Sequence, residues 1–481
     1  MTAASFDHTN IRSTRLRSLT KDNVKVLHEA SLEILTHTGL RFFNDEAVTL
    51  FKKAGAKVSD GNLVCIPAYL VERALRSVPK SITIYDQTGK RAMMLGGHRS
   101  YYGPGSDCMH IYDTETWERR IAVLDDVVNG IRLVDALPHL DFVMSMFLPS
   151  DVPAELYERR QMALMLQEST KPIVYVGIDA NSTVFAIKMA EMVAGGEDQL
   201  QRYPFVINYV NTVSAFYHND ESVQRLLYAA ERNLPTIYAP STSRGITAPI
   251  TIAGALALGN AGHLGGLVLS QLKREGSPFL RSHPNGSSMD LSSMVSVYGA
   301  PDNGPHGWDL AHRYEIPTFG AAGCSDSKVF DAQAAAEASL TLFENTIGGV
   351  NLIHDVGYLD CAMTGSLEFV YFNNEIIGWL RQYMRKLEIN QETLALDLIH
   401  EIGPDGSFLE ADHTYNHIRE EWRPTILDRL DFHRWSDQGS RTVKERANDK
   451  VKEIVASHRA EPLPNDVIQK LDALAFEDVP V

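Results

Sequence analysis

The side chains best placed for chemistry stand at the ends of short apolar runs. Tyr101 and Tyr102 close the first run, Phe147 follows the second, and Tyr175 lies on the third. Asn208, Tyr209 and Asn211 come from the fourth and Tyr238 from the fifth. Arg281 and His283 follow on the sixth, Phe319 on the seventh, and His354 with Asp355 on the eighth. The set is rich in aromatic rings, poor in carboxylates and contains basic groups. Aromatic faces with little formal charge suit a cation that cannot donate hydrogen bonds, a quaternary ammonium held by cation–π attraction. An arginine nearby suits a carboxylate on the same ligand, because its planar fork binds carboxylate through paired hydrogen bonds. The competing reading is that these aromatics merely fill a core. Strand alternation lets only about half of them face one side.

Other chemistries find less support. His283, His306, His312 and His354 show no HxH or HExxH spacing, so a zinc hydrolase is disfavoured. No GxSxG nucleophile turn occurs. The turns Gly103-Pro104-Gly105 and Gly320-Ala321-Ala322-Gly323 lack the surroundings of a phosphate loop. The nearest approach to DxHxxG, the sequence that buries cobalamin's lower ligand, is Asp431-Phe432-His433-Arg434-Trp435-Ser436, without the final Gly and in a charged helical region.

The elements that must position these residues repeat. Seven runs are plain: DFVMSMFLP from Asp141, PIVYVG from Pro172, FVINYVN from Phe205, TIYAPS from Thr236, PFLRSHP from Pro278, PTFGAAG from Pro317 and VNLIHDVG from Val350. A weaker one around Ser100-Tyr101-Tyr102 precedes them. Each is short, bounded by Pro, Gly or Asn and rich in β-branched or aromatic residues, which favours buried strand. Their spacing of about 31 to 42 residues accommodates a strand plus a crossover helix. The expected fold is α/β, a (β/α)8 TIM barrel over residues 96–382, with its chemistry at the C-terminal strand ends. Residues 1–95 read as a helical extension: Thr20 caps a helix reaching about Thr38 and stopped by Gly39, followed by helices over 47–54 and 67–77. Residues 107–120 alternate like a hairpin. Residues 383–481 read as a helical C-terminal extension, a cap or an oligomer contact.

Bulk properties narrow the class further. At 481 residues the chain is about twice the length of one barrel. A formal charge of −16 without a Lys/Arg cluster excludes nucleic acid. Four scattered cysteines without CxxC, and a polar opening stretch MTAASFDHTN, point to a reducing cytoplasm. The stretch from Ile246 to Leu272 is long and apolar but carries Thr247, Thr251, Asn260 and His263. It reads as a buried barrel helix and not a membrane span.

Several blocks make the chain recognisable: LTKDNVKVLHEASLEILTHTGLRF, TAPITIAGALALGNAGHLGGLVLSQ, SDSKVFDAQAAAEASLT, GPDGSFLEADHTYNHIREEWRP and ERANDKVKEIVASH. In this order they resemble the trimethylamine methyltransferase family, specifically its branch without pyrrolysine that demethylates glycine betaine and similar quaternary amines. The resemblance implies a barrel that moves a methyl group to the cob(I)alamin of a separate corrinoid protein, with no tightly bound cofactor of its own. The position similar to the family's pyrrolysine falls in the segment Gly357-Tyr358-Leu359-Asp360 and is occupied by Cys361. Displacement at a methyl carbon leaves its electron pair on nitrogen. Neutral trimethylamine would have to expel an amide anion, whereas a quaternary ammonium leaves as a neutral tertiary amine, so placement in a desolvated site suffices.

On this reading His354 stands nearest the cobalt. Tyr102, Phe147, Tyr238 and Phe319 are cage candidates, Arg281 or Arg313 would hold a carboxylate, and Asn208 or Asn211 would add a hydrogen bond. Glycine betaine is the expected substrate and dimethylglycine the product. Proline betaine, carnitine or choline as substrate, or a non-catalytic betaine-binding role, are the alternatives. The expected partners are the amine, the corrinoid protein and further copies of the chain.

Overall fold

A computed structural model describes residues 16–283, 288–299 and 306–476; MTAASFDHTN and Pro284 lie outside them. Seven parallel strands curl into one sheet: β1 (Tyr101–Tyr102), β2 (Ile173–Val176), β3 (Val206–Thr212), β4 (Thr236–Pro240), β5 (Phe279–Ser282), β6 (Thr318–Ala321) and β7 (Leu352–His354). Their order is β1-β7-β6-β5-β4-β3-β2. The gap between β2 and β1 is filled by the run from Asp141. Val143 bridges Ile173 in parallel register, its amide donating to the Pro172 carbonyl at 2.9 Å. On the other side the Asp141 amide donates to the Tyr102 carbonyl at 2.6 Å, and the Tyr102 amide donates to the Asp141 carboxylate at 2.8 Å. This run closes the barrel without forming a regular strand, because Asp141 substitutes a side-chain acceptor for a ladder bond and Met146 takes φ +56°.

Eight helices follow the eight positions: Leu124–Ala136, Tyr157–Glu168, Ala180–Ala194, Asp220–Glu231, Ile252–Lys273, His306–His312, Ala332–Ile347 and Leu367–Tyr383. The fold is a (β/α)8 barrel. Ile252–Lys273 is long and apolar enough to cross a membrane. Here it is a core helix, with every residue from Ala255 to Gln271 buried. Its glycines let it lie against the sheet: a Cβ on Gly266 would stand 2.2 Å from the Tyr238 ring.

Alternation assigns two faces to every strand. Tyr101, Phe142, Met144, Val174, Ile207, Ile237, Leu280, Phe319 and Leu352 form one interior cluster. The cluster is completed by Ile82, Ile84, Met93 and Leu95 of the antiparallel hairpin Ile82–Tyr85/Arg91–Leu95. That hairpin plugs the N-terminal end, since Tyr85 and Gln87 donate to the carbonyls of Pro204 and Thr170, ahead of β3 and β2. The opposite end, where the strands finish, is the mouth.

The N-terminal region is more mixed than the helical preface expected from sequence. Its helices are present at Lys21–Glu33, extended by a π-helical turn to Thr38, and at Asp45–Lys53 and Ala68–Ser77. Between them run Leu40–Phe42, Lys57–Ser59 and Leu63–Cys65, which join Tyr217–His218 in a four-stranded sheet. Three-residue strands carry too little periodicity to read. The hairpin at 107–120 forms as His110–Tyr112 and Arg119–Ile121. After Tyr383 the described residues contain helices and no strand.

Candidate active site

The inward faces of β3, β6 and β7 bring Tyr209, Phe319 and His354 together at the mouth. The Phe319 ring meets His354 edge-on at 4.1 Å and Tyr209 at 4.8 Å, and Tyr209 stands 5.8 Å from His354. Tyr209 is half-buried and Asn211, two residues on and on the same face, is exposed; the Asn211 side chain hydrogen-bonds the Tyr209 hydroxyl. His354 is 8% exposed, and its Nδ1 has no hydrogen-bond partner, lying 3.6 Å from the Asp355 carboxylate. Burial holds the His354 imidazole below its usual pKa, opposed by Asp355 and two backbone groups. The ring is therefore neutral near pH 7 and presents an unshared lone pair or N–H to whatever enters.

Three carboxylates stand at the same end of the barrel: Asp355, expected there from its place after the eighth run, and Asp107 and Glu158, which the strand-end reading left out. Asp355, at φ +72°, is buried, and burial raises its pKa. It fits only because position 105 is glycine: a Cβ there would lie 2.4 Å from Asp355 Oδ1. Asp107 is reachable by solvent yet surrounded by protein deeply enough that desolvation lifts its pKa to about 6. Glu158, in the helix Tyr157–Glu168, is buried and lifted to about 7, chiefly by desolvation and against hydrogen bonds from Ser182 and the Ile178 backbone. Behind them Arg225 is buried, donating through Nε to Thr183 Oγ1 at 3.0 Å and through Nη2 to the Tyr209 carbonyl. It braces β3 from outside the barrel. Tyr298 approaches the Asp355 and Tyr209 side, its own ionisation suppressed first by burial.

The other sequence candidates lie elsewhere. Tyr102 faces outward and shares a hydrogen bond with Thr346 Oγ1 at 2.7 Å. Phe147 packs outside the barrel, close to Gly130 and Gly365. Asn208 points away from the lumen and donates to the Arg225 carbonyl at 3.5 Å. Tyr238 stacks on His218 and bonds its Nδ1 at 2.5 Å. Arg281 is fully buried on the outer face, 5.3 Å from the Tyr314 ring, with burial bringing its pKa down to about 10. Arg313 is exposed at the opposite end of the barrel, lining a cleft with Arg17 and Lys21 ahead of β6. Tyr102, Asn208, Tyr238 and Arg281 are removed from the mouth by the strand register, each one residue out of phase with the inward set. Phe147 instead follows the positive-φ turn at Met146, and Arg313 lies off the strands at the other end of the barrel. Asp107 and Glu158 were missed because neither sits on a strand. Among the described residues no group of three or more His, Cys, Asp or Glu could hold a metal.

Cys361 lies in a turn beside the mouth in which Asp360, Cys361 and Ala362 all take positive φ, 54°, 54° and 67°. Three consecutive left-handed non-glycine residues cost about 1–2 kcal/mol each. The turn is held by amides of Asp360 and Cys361 donating to Ser327 and Ser325 carbonyls at 2.8 and 3.3 Å. Burial, and then the neighbouring Asp326, push the Cys361 thiol to about 12. A neutral thiol is no nucleophile at pH 7.

Comparison with known proteins decides the family. The family described as trimethylamine methyltransferase (MTTB) matches residues 2–476. This chain belongs to the trimethylamine methyltransferase family. It is a methyltransferase by that membership. Relatives include Trimethylamine methyltransferase MttB of Desulfitobacterium hafniense (strain DSM 10664 / DCB-2), 30% identical and covering 96% of this chain and 94% of that protein. Glycine betaine methyltransferase of Desulfitobacterium hafniense (strain Y51) is 29% identical over 95% of each chain. The crystal structure of the hydroxylamine MtmB complex shares the fold, with a TM-score of 0.53 at 12% identity, covering 93% of this chain and 90% of that one.

Proposed function

We propose that this chain transfers a methyl group from a quaternary amine, glycine betaine foremost, to the cob(I)alamin of a separate corrinoid protein, releasing the tertiary amine, dimethylglycine for betaine. The observation that carries this reading is the inward cluster of Tyr209, Phe319 and His354 with the carboxylates of Asp107 and Asp355 close to it. Rings attract a fixed cation through their faces, and carboxylates in a partly desolvated setting add a coulombic term. None of these groups is needed as an acid, since the nitrogen is already cationic. What the chain supplies is placement: Phe319 and Tyr209 limit where the methyl groups sit, and His354 marks the floor from which they face outward.

The corrinoid, when brought by its partner, supplies the reduced nucleophile that takes the methyl group. The mouth suits a partner-borne acceptor. Exposed apolar side chains ring it on five separate strand-end loops: Ile178, Val213, Ile246, Met294 and Met363 are 40–63% exposed. Apolar side chains exposed around such a rim suit contact with a partner protein. A strongly reduced acceptor also fits a cytoplasmic setting, as do four free cysteines.

A second reading concerns the far end of the substrate. The arginines expected to hold a carboxylate, Arg281 and Arg313, lie outside the mouth, and carboxylates stand inside it. This favours a quaternary amine whose far end is neutral or donates a hydrogen bond, such as choline, over one bearing a carboxylate. The test mixes purified protein, chemically reduced cobalamin and either glycine betaine, choline or trimethylamine. The expected result is a methylcobalamin spectrum with stoichiometric demethylated amine from a quaternary substrate. Binding of every quaternary amine without turnover would leave a binding protein instead.

A further inference from the structure

The chain between Arg385 and Thr425 contains no buried residue. It is nevertheless built: helical turns at Gln391–Leu394, Leu396–Ile402 and Asp412–His417 are joined by a contact from His413 Nε2 to the Glu392 carbonyl at 3.2 Å and a His417–Glu420 pair at 2.7 Å. Its two ends are pinned together on the barrel. Trp379 stacks on Trp422 at 5.6 Å, and Arg385 pairs with Glu420 at 2.7 Å. The segment is thus an arm that leaves the body and returns beside its point of departure. Helices of four to seven residues are unstable alone, and this arm buries nothing in its own chain to hold them. It carries Leu387, Ile389, Leu409 and Tyr415 at 72–79% exposure.

The arm is also acidic. Residues 386–421 hold nine Asp or Glu against Lys386 and Arg419, a net of −7. Immediately after it the chain forms a cleft of about 730 Å³. The cleft is lined by Arg423, Arg429, Arg441 and Arg446 with apolar Leu430 and Trp435, and by one acid, Asp428. An acidic apolar arm and a basic apolar cleft are therefore carried by every copy, and the arm does not occupy the cleft of its own chain. We propose that residues 386–421 are an exchange arm that docks on a second copy of this chain, in its arginine-lined cleft, with the second arm returning the contact by two-fold symmetry.

Sedimentation velocity on the full chain at micromolar concentration tests this. The expected result is a species of twice 53.5 kDa or a multiple of it, weakened about tenfold by charge reversal in the cleft, as for pairs across a charged interface. Arg423→Glu with Arg429→Glu supplies that reversal. Leu387→Asp with Leu409→Asp should leave monomer with an unchanged circular dichroism spectrum and thermal melt, since neither side chain packs in the protomer. Wild-type monomer, or an oligomer indifferent to both pairs of changes, would overturn the proposal. So would an oligomer that responds to the arm change and not to the cleft change. A chain that is monomeric alone, and loses binding of the corrinoid protein only on the arm change, would place a different partner there and overturn it as well.

Discussion

Tyr209 and Tyr238 lie on adjacent strands and do opposite work. Tyr209 pairs in register with Ile237, so Tyr238 is one residue further along and faces the other side of the sheet. Tyr209 looks into the lumen, half open, against Phe319. Tyr238 is fully buried beneath the helix Ile252–Lys273, its hydroxyl bound to His218. One residue of register separates a ring that can touch a ligand from one that can only support the fold. A tyrosine at a strand end therefore says nothing about a site until its face is known.

The contrast can be broken most visibly from the outer face. Tyr238→Ala should cost about 3–5 kcal/mol of stability through the cavity left under the helix, measured by urea denaturation, with amine affinity of the folded fraction unchanged; a selective loss of affinity would mean the ring does reach the lumen. On the inner face, His354→Ala should slow methyl transfer about 100-fold through misplacement of the methyl group, while amine binding stays near wild type. Equal loss of binding and turnover in steady-state kinetics would remove the role assigned to His354.

Glu158 sharpens the comparison through pH. Its carboxyl is lifted well above the ordinary carboxylate range, to about 7, mainly by desolvation. A raised carboxylate pKa stabilises the fold below the unfolded value, and that contribution is lost as pH rises through the folded one. Glu158→Gln should then raise stability at pH 8 by about 1–3 kcal/mol and change little at pH 4, as read from melting temperatures across that range. Asp107 gives the smallest effect. Titrating near 6, it should make binding of a quaternary ammonium strengthen between pH 5 and 7, as its negative charge develops; Asp107→Asn should flatten that part of the profile, and an unchanged slope would take Asp107 out of the site.

The barrel was legible because its strands are buried on both faces and read as short β-branched runs with Pro and Gly ends, from PIVYVG to VNLIHDVG. The closing run at Asp141 was legible as a run, though its irregular backbone was not. The site was legible by half. The strand ends were found, and His354, Phe319 and Asn211 do lie at the mouth, but the phase of alternation was not available, so Tyr238 and Arg281 stood level with Tyr209. Asp107 and Glu158 belong to a turn and a helix start, where no periodicity announces which cavity they face. The plug Ile82–Leu95 was hidden in a region dominated by helical patterns, since four- and five-residue strands are short beside them.

Calorimetric titration with tetramethylammonium isolates the cation site from the rest of any substrate. Saturable binding is expected, weakened by about 0.5–2 kcal/mol in Tyr209→Leu and in Phe319→Leu and unaltered in Tyr238→Phe. No binding to the wild-type chain, or an equal loss in Tyr238→Phe, would contradict a fixed cation held by the inward rings.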